Sequence, residues 1–98
     1  MKALQNMAPE LLKKLEALFP QEEFSAAAAL LEMECGRNLP FAETLGIEGI
    51  ERVRCAVLKL SEGSIEKLRH EVLAANFDWR DVLVAAGFAN DPKVNYSG

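Results

Sequence analysis

The chain has 98 residues, of which 50% are hydrophobic and 27% are charged, with a formal net charge of −4. This length supports one hydrophobic core and is too short for two, and the composition excludes an intrinsically disordered chain. The acidic charge disfavours a nucleic-acid-binding protein, because non-specific affinity for phosphates comes from clustered Lys and Arg.

The sequence also disfavours a membrane or secreted protein. No apolar run approaches the roughly 20 residues that span a bilayer, and the stretch before Pro9 lacks the uninterrupted hydrophobic segment of a secretory signal. We therefore expect a cytoplasmic protein with no membrane partner. In that reducing compartment Cys35 and Cys55, which both fall in helical patterns, are expected to be small buried thiols rather than a disulfide.

The first amphipathic pattern predicts a helix over residues 8–19. Its leucines fall on one arc at helical spacing, and Pro9 suits the first turn of a helix. Pro20 ends this helix and can begin a second one over residues 20–35. Gly36 is expected to supply a left-handed stop for the second helix.

The second predicted helix is apolar on two sides. The first side consists of Phe24, Ala27, Ala28, Leu31 and Cys35, and the second side consists of Ala26, Ala29, Leu30 and Met33. A helix that is apolar nearly all round is normally buried, so we expect this helix to lie at the centre of the fold. Its second side is expected to be covered either by the rest of the chain or by another copy of it.

Residues 37–46 interrupt the helical pattern with a proline and a glycine and predict the longest internal loop, which has room for a short helical turn. A third helix is predicted over residues 47–60. Arg54 lies on its apolar arc, where an unpaired charge is costly. Two interpretations follow: Arg54 pairs with an Asp or Glu at a helix end, or Arg54 or Arg37 holds an anionic group of a ligand or partner.

Two helices are predicted towards the C-terminal end, over residues 64–76 and 78–87. Ser64 is expected to cap the first of them and Asp78 the second. His70 falls on the far side from the buried stripe of the first helix, which suits a solvated charge pair.

The last predicted helix carries further signals. Phe77 is expected to form a hydrophobic staple with Val82, and Gly87 gives a left-handed exit after which Phe88 folds back onto the last turn. Trp79 has two interpretations: it is an anchor in a protein interface, or it lies at the edge of the core.

Together these patterns predict an all-α protein, a single small bundle of four to five helices within residues 1–88. Each helix has a start or stop signal of its own, and no segment alternates with the period of a strand. Residues 89–98 have no apolar period and predict a flexible C-terminal tail.

The string DWRDVLVAAGFA at residues 78–89 resembles the C-terminal signature of small bacterial helical proteins that have no assigned activity. The resemblance covers about an eighth of the chain. It implies a bacterial cytosolic origin and carries no catalytic or binding residue.

No pattern in the chain predicts a catalytic or metal site. Zinc sites need three or four ligands at short spacings, whereas Cys35, Cys55 and His70 lie singly in three predicted helices. A cysteine nucleophile needs a basic partner, and the one histidine is expected to face solvent. We therefore expect no cofactor, no metal and no catalytic residue.

The first functional hypothesis is a non-enzymatic protein–protein interaction module that associates with itself or with another protein. Its predicted interface consists of Ala26, Ala29, Leu30, Met33 and Trp79. The alternative is a binder of a small anionic ligand, or a minor enzyme, with a pocket between the helices and the 37–46 loop. In that alternative Arg37 and Arg54 hold the anionic group.

Overall fold

Four helices make up most of residues 7–88, the part of the chain that the structure, a computed structural model, describes. They are α1 (Pro9–Leu18), α2 (Gln21–Glu34), α3 (Ala42–Ser61) and α4 (Ile65–Ala86). No strand occurs in these residues, so the all-α prediction is confirmed. None of these helices is long and apolar enough to cross a bilayer. The predicted tail at 89–98 lies outside the described residues.

The first two helices agree with their predicted bounds to within one residue, whereas α3 begins earlier than predicted. Gly46 (φ 72°, ψ 178°) departs from helical geometry and separates a first turn, residues 42–45, from the main part of the helix, which starts at Ile47. The short helical turn expected within the 37–46 loop is therefore confirmed.

α4 consists of two helical segments that meet at Asp78. The backbone of Asp78 is extended (φ −160°, ψ 96°), and its Oδ1 atom accepts a hydrogen bond from the N–H of Arg80 at 3.1 Å. This is the geometry of a helix N-cap, so the predicted cap is confirmed. The two helices predicted here correspond to the two segments of α4, residues 65–77 and 79–86.

These two segments run in opposite directions along α3. The first starts where α3 ends and reaches Asn76, whose Oδ1 atom accepts a hydrogen bond at 2.7 Å from Asn38 in the loop before α3. The second returns, since Nζ of Lys59, near the end of α3, donates to the Ala86 carbonyl at 3.0 Å. A straight helix of 22 residues would span about 33 Å and could not bring both of its ends close to the end of α3.

The central helix is α3 and not α2. Every residue from 53 to 58 of α3 is buried, whereas α2 packs on α1 and α4 at the outside of the bundle. The side of α2 that contains Ala27 and Leu31 is buried, but Ala26 and Ala29 are exposed. The prediction that α2 is the central helix is therefore wrong, and the rest of the described chain leaves most of its second side uncovered. Alanines offer little apolar area, so more surface is buried when the larger Val and Leu side chains of α3 are enclosed.

Two other predicted helix ends are confirmed. The hydroxyl of Ser64 accepts a hydrogen bond from the N–H of Lys67 at 3.2 Å, which caps α4. Gly87 is left-handed (φ 83°), and the N–H of Phe88 donates to the Leu83 carbonyl at 2.9 Å. Phe88 is buried as a result, so the chain does fold back after α4.

The predicted staple between Phe77 and Val82 is wrong. Phe77 is 91% exposed, whereas Val82 is buried. The backbone break at Asp78 separates the two segments, and Phe77, the last residue of the first segment, remains in solvent.

We expect the two left-handed glycines that follow α3 and α4 to differ in their tolerance of alanine. Gly63 and Gly87 both have a φ of 83°, so a Cβ atom costs each about 1–2 kcal/mol of backbone strain. At Gly63 a Cβ would also lie 2.9 Å from the Leu18 carbonyl oxygen, whereas at Gly87 no described atom lies within 4 Å. Gly63→Ala should therefore lower the free energy of unfolding by about 1–3 kcal/mol more than Gly87→Ala, as measured by chemical denaturation. Equal losses would contradict the close approach of α1 to this turn.

Candidate functional site

The outer side of α2 is an uncovered apolar surface. Met33 is 69% exposed, Ala26 and Ala29 are exposed, and Leu30 is half-buried at the edge of the core. We call these four residues the outer face. Four of the five residues predicted to form an interface thus lie together on one helix at the surface of the single chain.

Trp79, the fifth predicted interface residue, lies elsewhere. Its Nε1 atom donates a hydrogen bond to the Pro40 carbonyl at 2.7 Å, and its half-buried ring packs against the core. This contact fastens the second segment of α4 to the loop between α2 and α3. The core-edge interpretation accounts for these contacts, and a role as an interface anchor stays a prediction.

Larger apolar side chains are also exposed on α3 and α4, and sequence reasoning did not identify them as surface residues. They are Ile47 on α3 and Leu73, Phe77 and Val84 on α4, and Phe41 directly before α3 is exposed as well. Leu73 and Phe77 lie four residues apart, a helical spacing that could have indicated a second apolar stripe. Ile47 directly follows the break at Gly46 and is therefore the first residue of the main part of α3, before its buried arc begins.

An open cleft of about 720 Å³ lies between the end of α2, the loop that follows and the start of α3. Its apolar lining includes Met33, Ile47 and Ile50, and its charged lining consists of Glu32, Arg37, Glu51 and Arg54. The structure therefore brings Arg37 and Arg54, the two predicted anion contacts, to one cleft. The two carboxylates balance the two guanidinium groups, so the lining has no net formal charge.

Arg54 is buried beneath this cleft, and its guanidinium is engaged within the fold. Its Nε atom donates to the Cys35 carbonyl at 2.8 Å, and its Nη1 atom donates to Oε2 of Glu51 at 3.1 Å. The predicted pairing with a carboxylate is confirmed, but the partner lies within α3, three residues before Arg54, and not at a helix end. Because a buried charge depends on such partners, an anion site at Arg54 has less support than the interface and stays a prediction.

Glu51 extends this network to α1. Its Oε1 atom accepts a long hydrogen bond, 3.5 Å, from the N–H of Ala8 directly before α1, while the Cys35 carbonyl bound by Arg54 directly follows α2. One ion pair on α3 thus contacts the start of α1 and the end of α2. Burial raises the pKa of Glu51 above its ordinary value of 4.5, and the adjacent Arg54 opposes that rise.

The predicted left-handed stop at Gly36 is wrong, since its φ is not positive. A Cβ atom there would lie 2.8 Å from Nη2 of Arg54, so the glycine allows the guanidinium to approach the backbone. The C-terminal end of α2 is instead capped by two asparagine side chains. Asn38 and Asn76 each donate a hydrogen bond from Nδ2 to the Glu34 carbonyl, at 2.8 and 2.7 Å, which satisfies a carbonyl that lacks a partner within the helix.

The side chains capable of nucleophilic or metal chemistry lie apart. Cys35 and Cys55 are free and buried, and burial raises the pKa of each thiol to about 12. Such thiols stay protonated at neutral pH and are poor nucleophiles. His70 is exposed, as expected. Within residues 7–88 no group of three or more His, Cys, Asp or Glu side chains is placed to hold a metal ion.

Comparisons with known proteins do not assign the chain to a family. No protein-family model, characterised protein or solved structure matches it. The resemblance at residues 78–89 therefore stays a prediction, and function has to be inferred from the geometry of the described residues.

The stability of the protein should depend on pH through Glu51. Because burial raises its folded-state pKa above 4.5, the folded state binds this proton more tightly than the unfolded state does. The resulting stabilisation is complete below pH 4.5 and is lost as the pH rises through the folded-state pKa. The free energy of unfolding of the wild type, relative to that of Glu51→Gln, should therefore fall between pH 4.5 and neutrality in chemical denaturation.

Glu48→Gln is the matched control, because Glu48 is exposed on the same helix. The stability difference between the wild type and this variant should change less over the same range. A wild type that gains stability relative to Glu51→Gln as the pH rises would contradict a raised pKa for Glu51, because the attraction of Arg54 would then outweigh the effect of burial.

Proposed function

We propose that the protein is a non-enzymatic protein–protein interaction module that self-associates through the outer face of α2. The observation that carries this proposal is the uncovered apolar side of that helix. Exposed apolar surface bordered by polar residues marks interaction sites. Full burial of a methionine side chain contributes about 1.5–3 kcal/mol, and most of that remains available at Met33, which is 69% exposed.

The order of residues along α2 favours an antiparallel pair of copies related by a twofold axis. If the axis passes between Ala29 and Leu30, Ala26 of one copy lies opposite Met33 of the second copy. A small side chain then faces a large one, which lets the helices approach and fill the space between them. Closed twofold dimers are also the commonest oligomers of soluble proteins.

The same register pairs opposite charges at both ends of the interface. Glu22 in the first turn of α2 and Arg37, three residues after the end of α2, are equally far from the axis along the sequence, so a loop that continues in the direction of the helix brings Glu22 of one copy towards Arg37 of the second copy. Both residues are exposed. A parallel pair would instead place Glu22 beside Glu22 and Arg37 beside Arg37. Charge complementarity therefore supports the antiparallel arrangement.

We place this module in the cytoplasm. Cys35 and Cys55, free and buried, support a reducing compartment, since structural disulfides are typical of oxidising ones. The net charge of −4 supports a protein partner over a nucleic acid.

Charge exchange at Glu22 and Arg37 tests the association and its register together. The wild type should be dimeric by sedimentation equilibrium. Glu22→Arg and Arg37→Glu should each weaken the dimer about threefold to tenfold, because each places like charges in contact at two symmetry-related positions. The double variant should restore the wild-type affinity.

Met33→Glu should dissociate the dimer while the monomer stays folded, since the Met33 side chain is 69% exposed in the single chain. Val84→Glu is the matched control, because Val84 is 64% exposed and lies on α4 away from the outer face. A monomeric wild type, or equal weakening of the dimer by the two variants, would contradict the proposal.

A further inference from the structure

A second cleft, of about 340 Å³, lies between α1 and α3 and is bordered by Phe88. Its apolar lining comes from Ala17 and Leu18 of α1, Leu58 of α3 and the Phe88 ring. The volume is at the lower end of the range for small-molecule sites. This cleft shares no residue with the outer face or with the cleft at the end of α2.

Cys55 contributes a thiol to the wall of this cleft. Burial raises the pKa of the thiol to about 12, so it stays neutral and adds no negative charge. Glu10 and Glu51 act on Cys55 electrostatically, but neither carboxylate belongs to the lining.

Lys14 and Lys59 are the charged side chains among the described residues that line the cleft. The ammonium group of Lys59 is held in place, because Nζ donates to the Ala86 carbonyl at 3.0 Å and lies 5.3 Å from the centroid of the Phe88 ring. Lys14 is half-buried one turn before Leu18 on α1. The chain has a net charge of −4, whereas the described residues that line this cleft carry two positive charges and no negative one.

We propose that this cleft binds a small monocarboxylate with an apolar tail, such as a medium-chain fatty acid. The tail packs on Leu18, Leu58 and the Phe88 ring, and the carboxylate accepts hydrogen bonds from Nζ of Lys14 and Lys59. An ammonium group has three donor hydrogens, so Lys59 keeps its bond to the Ala86 carbonyl while it binds the ligand. Hydrogen bonds between charged groups are roughly twice as strong as neutral ones, which selects a carboxylate over an alcohol.

The test is an NMR titration of the full chain with octanoate. Saturable shifts of backbone amides are expected at residues 14–18, 55–59 and 88. Octanol has the same tail length but no charge. Its affinity should be lower than that of octanoate by a factor of about five or more, since a hydrogen bond to a charged group contributes about 1 kcal/mol or more.

Lys14→Gln should weaken octanoate binding by about fivefold and leave octanol binding unchanged. Lys14 is the residue to change, because Lys59 also stabilises the end of α4. Lys13→Gln is the control, since Lys13 is exposed on the same helix outside the cleft. The proposal is overturned by the absence of saturable shifts, by equal affinities for octanoate and octanol, or by equal effects of the two lysine variants.

Discussion

A buried ion pair on α3 connects three helices. Arg54 binds the carbonyl at the end of α2, and its partner Glu51 contacts the backbone at the start of α1. Such a pair adds little net stability by itself, but removal of Arg54 leaves the Glu51 carboxylate buried without its partner and costs about 3–5 kcal/mol. The positions of α1 and α2 around α3 therefore depend on both partners, and the missing side chain at Gly36 leaves room for the guanidinium.

This constraint also determines which side of α2 is exposed. Arg54 binds the Cys35 carbonyl, while Asn38 and Asn76 bind the Glu34 carbonyl. The rotation of α2 about its own axis is thereby fixed with its inner side on α1 and α4. Met33 remains at the surface because the opposite side of α2, with Ala27 and Leu31, is buried against the bundle. An interface on the outer face would use a helix whose end is already held by hydrogen bonds, which lowers the entropic cost of association.

Much of the fold follows from signals that act over a few residues. Pro9, Ser64, Asp78 and Gly87 mark helix ends close to where they occur, and the need of Arg54 for a carboxylate follows from its apolar arc. Contacts between distant parts of the chain could not be predicted in this way. The periodicity of α2 shows two apolar sides but not what covers the second one, and Lys14 and Lys59 line one cleft only because α1 packs on α3.

Native-state hydrogen exchange of Arg54→Lys tests most directly whether this ion pair fastens α1 and the end of α2 to α3. Lysine keeps the charge but lacks the planar fork that lets arginine donate to the Cys35 carbonyl and to Glu51 together. Amide protons of α1 and of the last turn of α2 should exchange about tenfold faster or more, while those of residues 65–77 exchange as in the wild type. Equal acceleration in all four helices, or no acceleration in α1, would contradict this account.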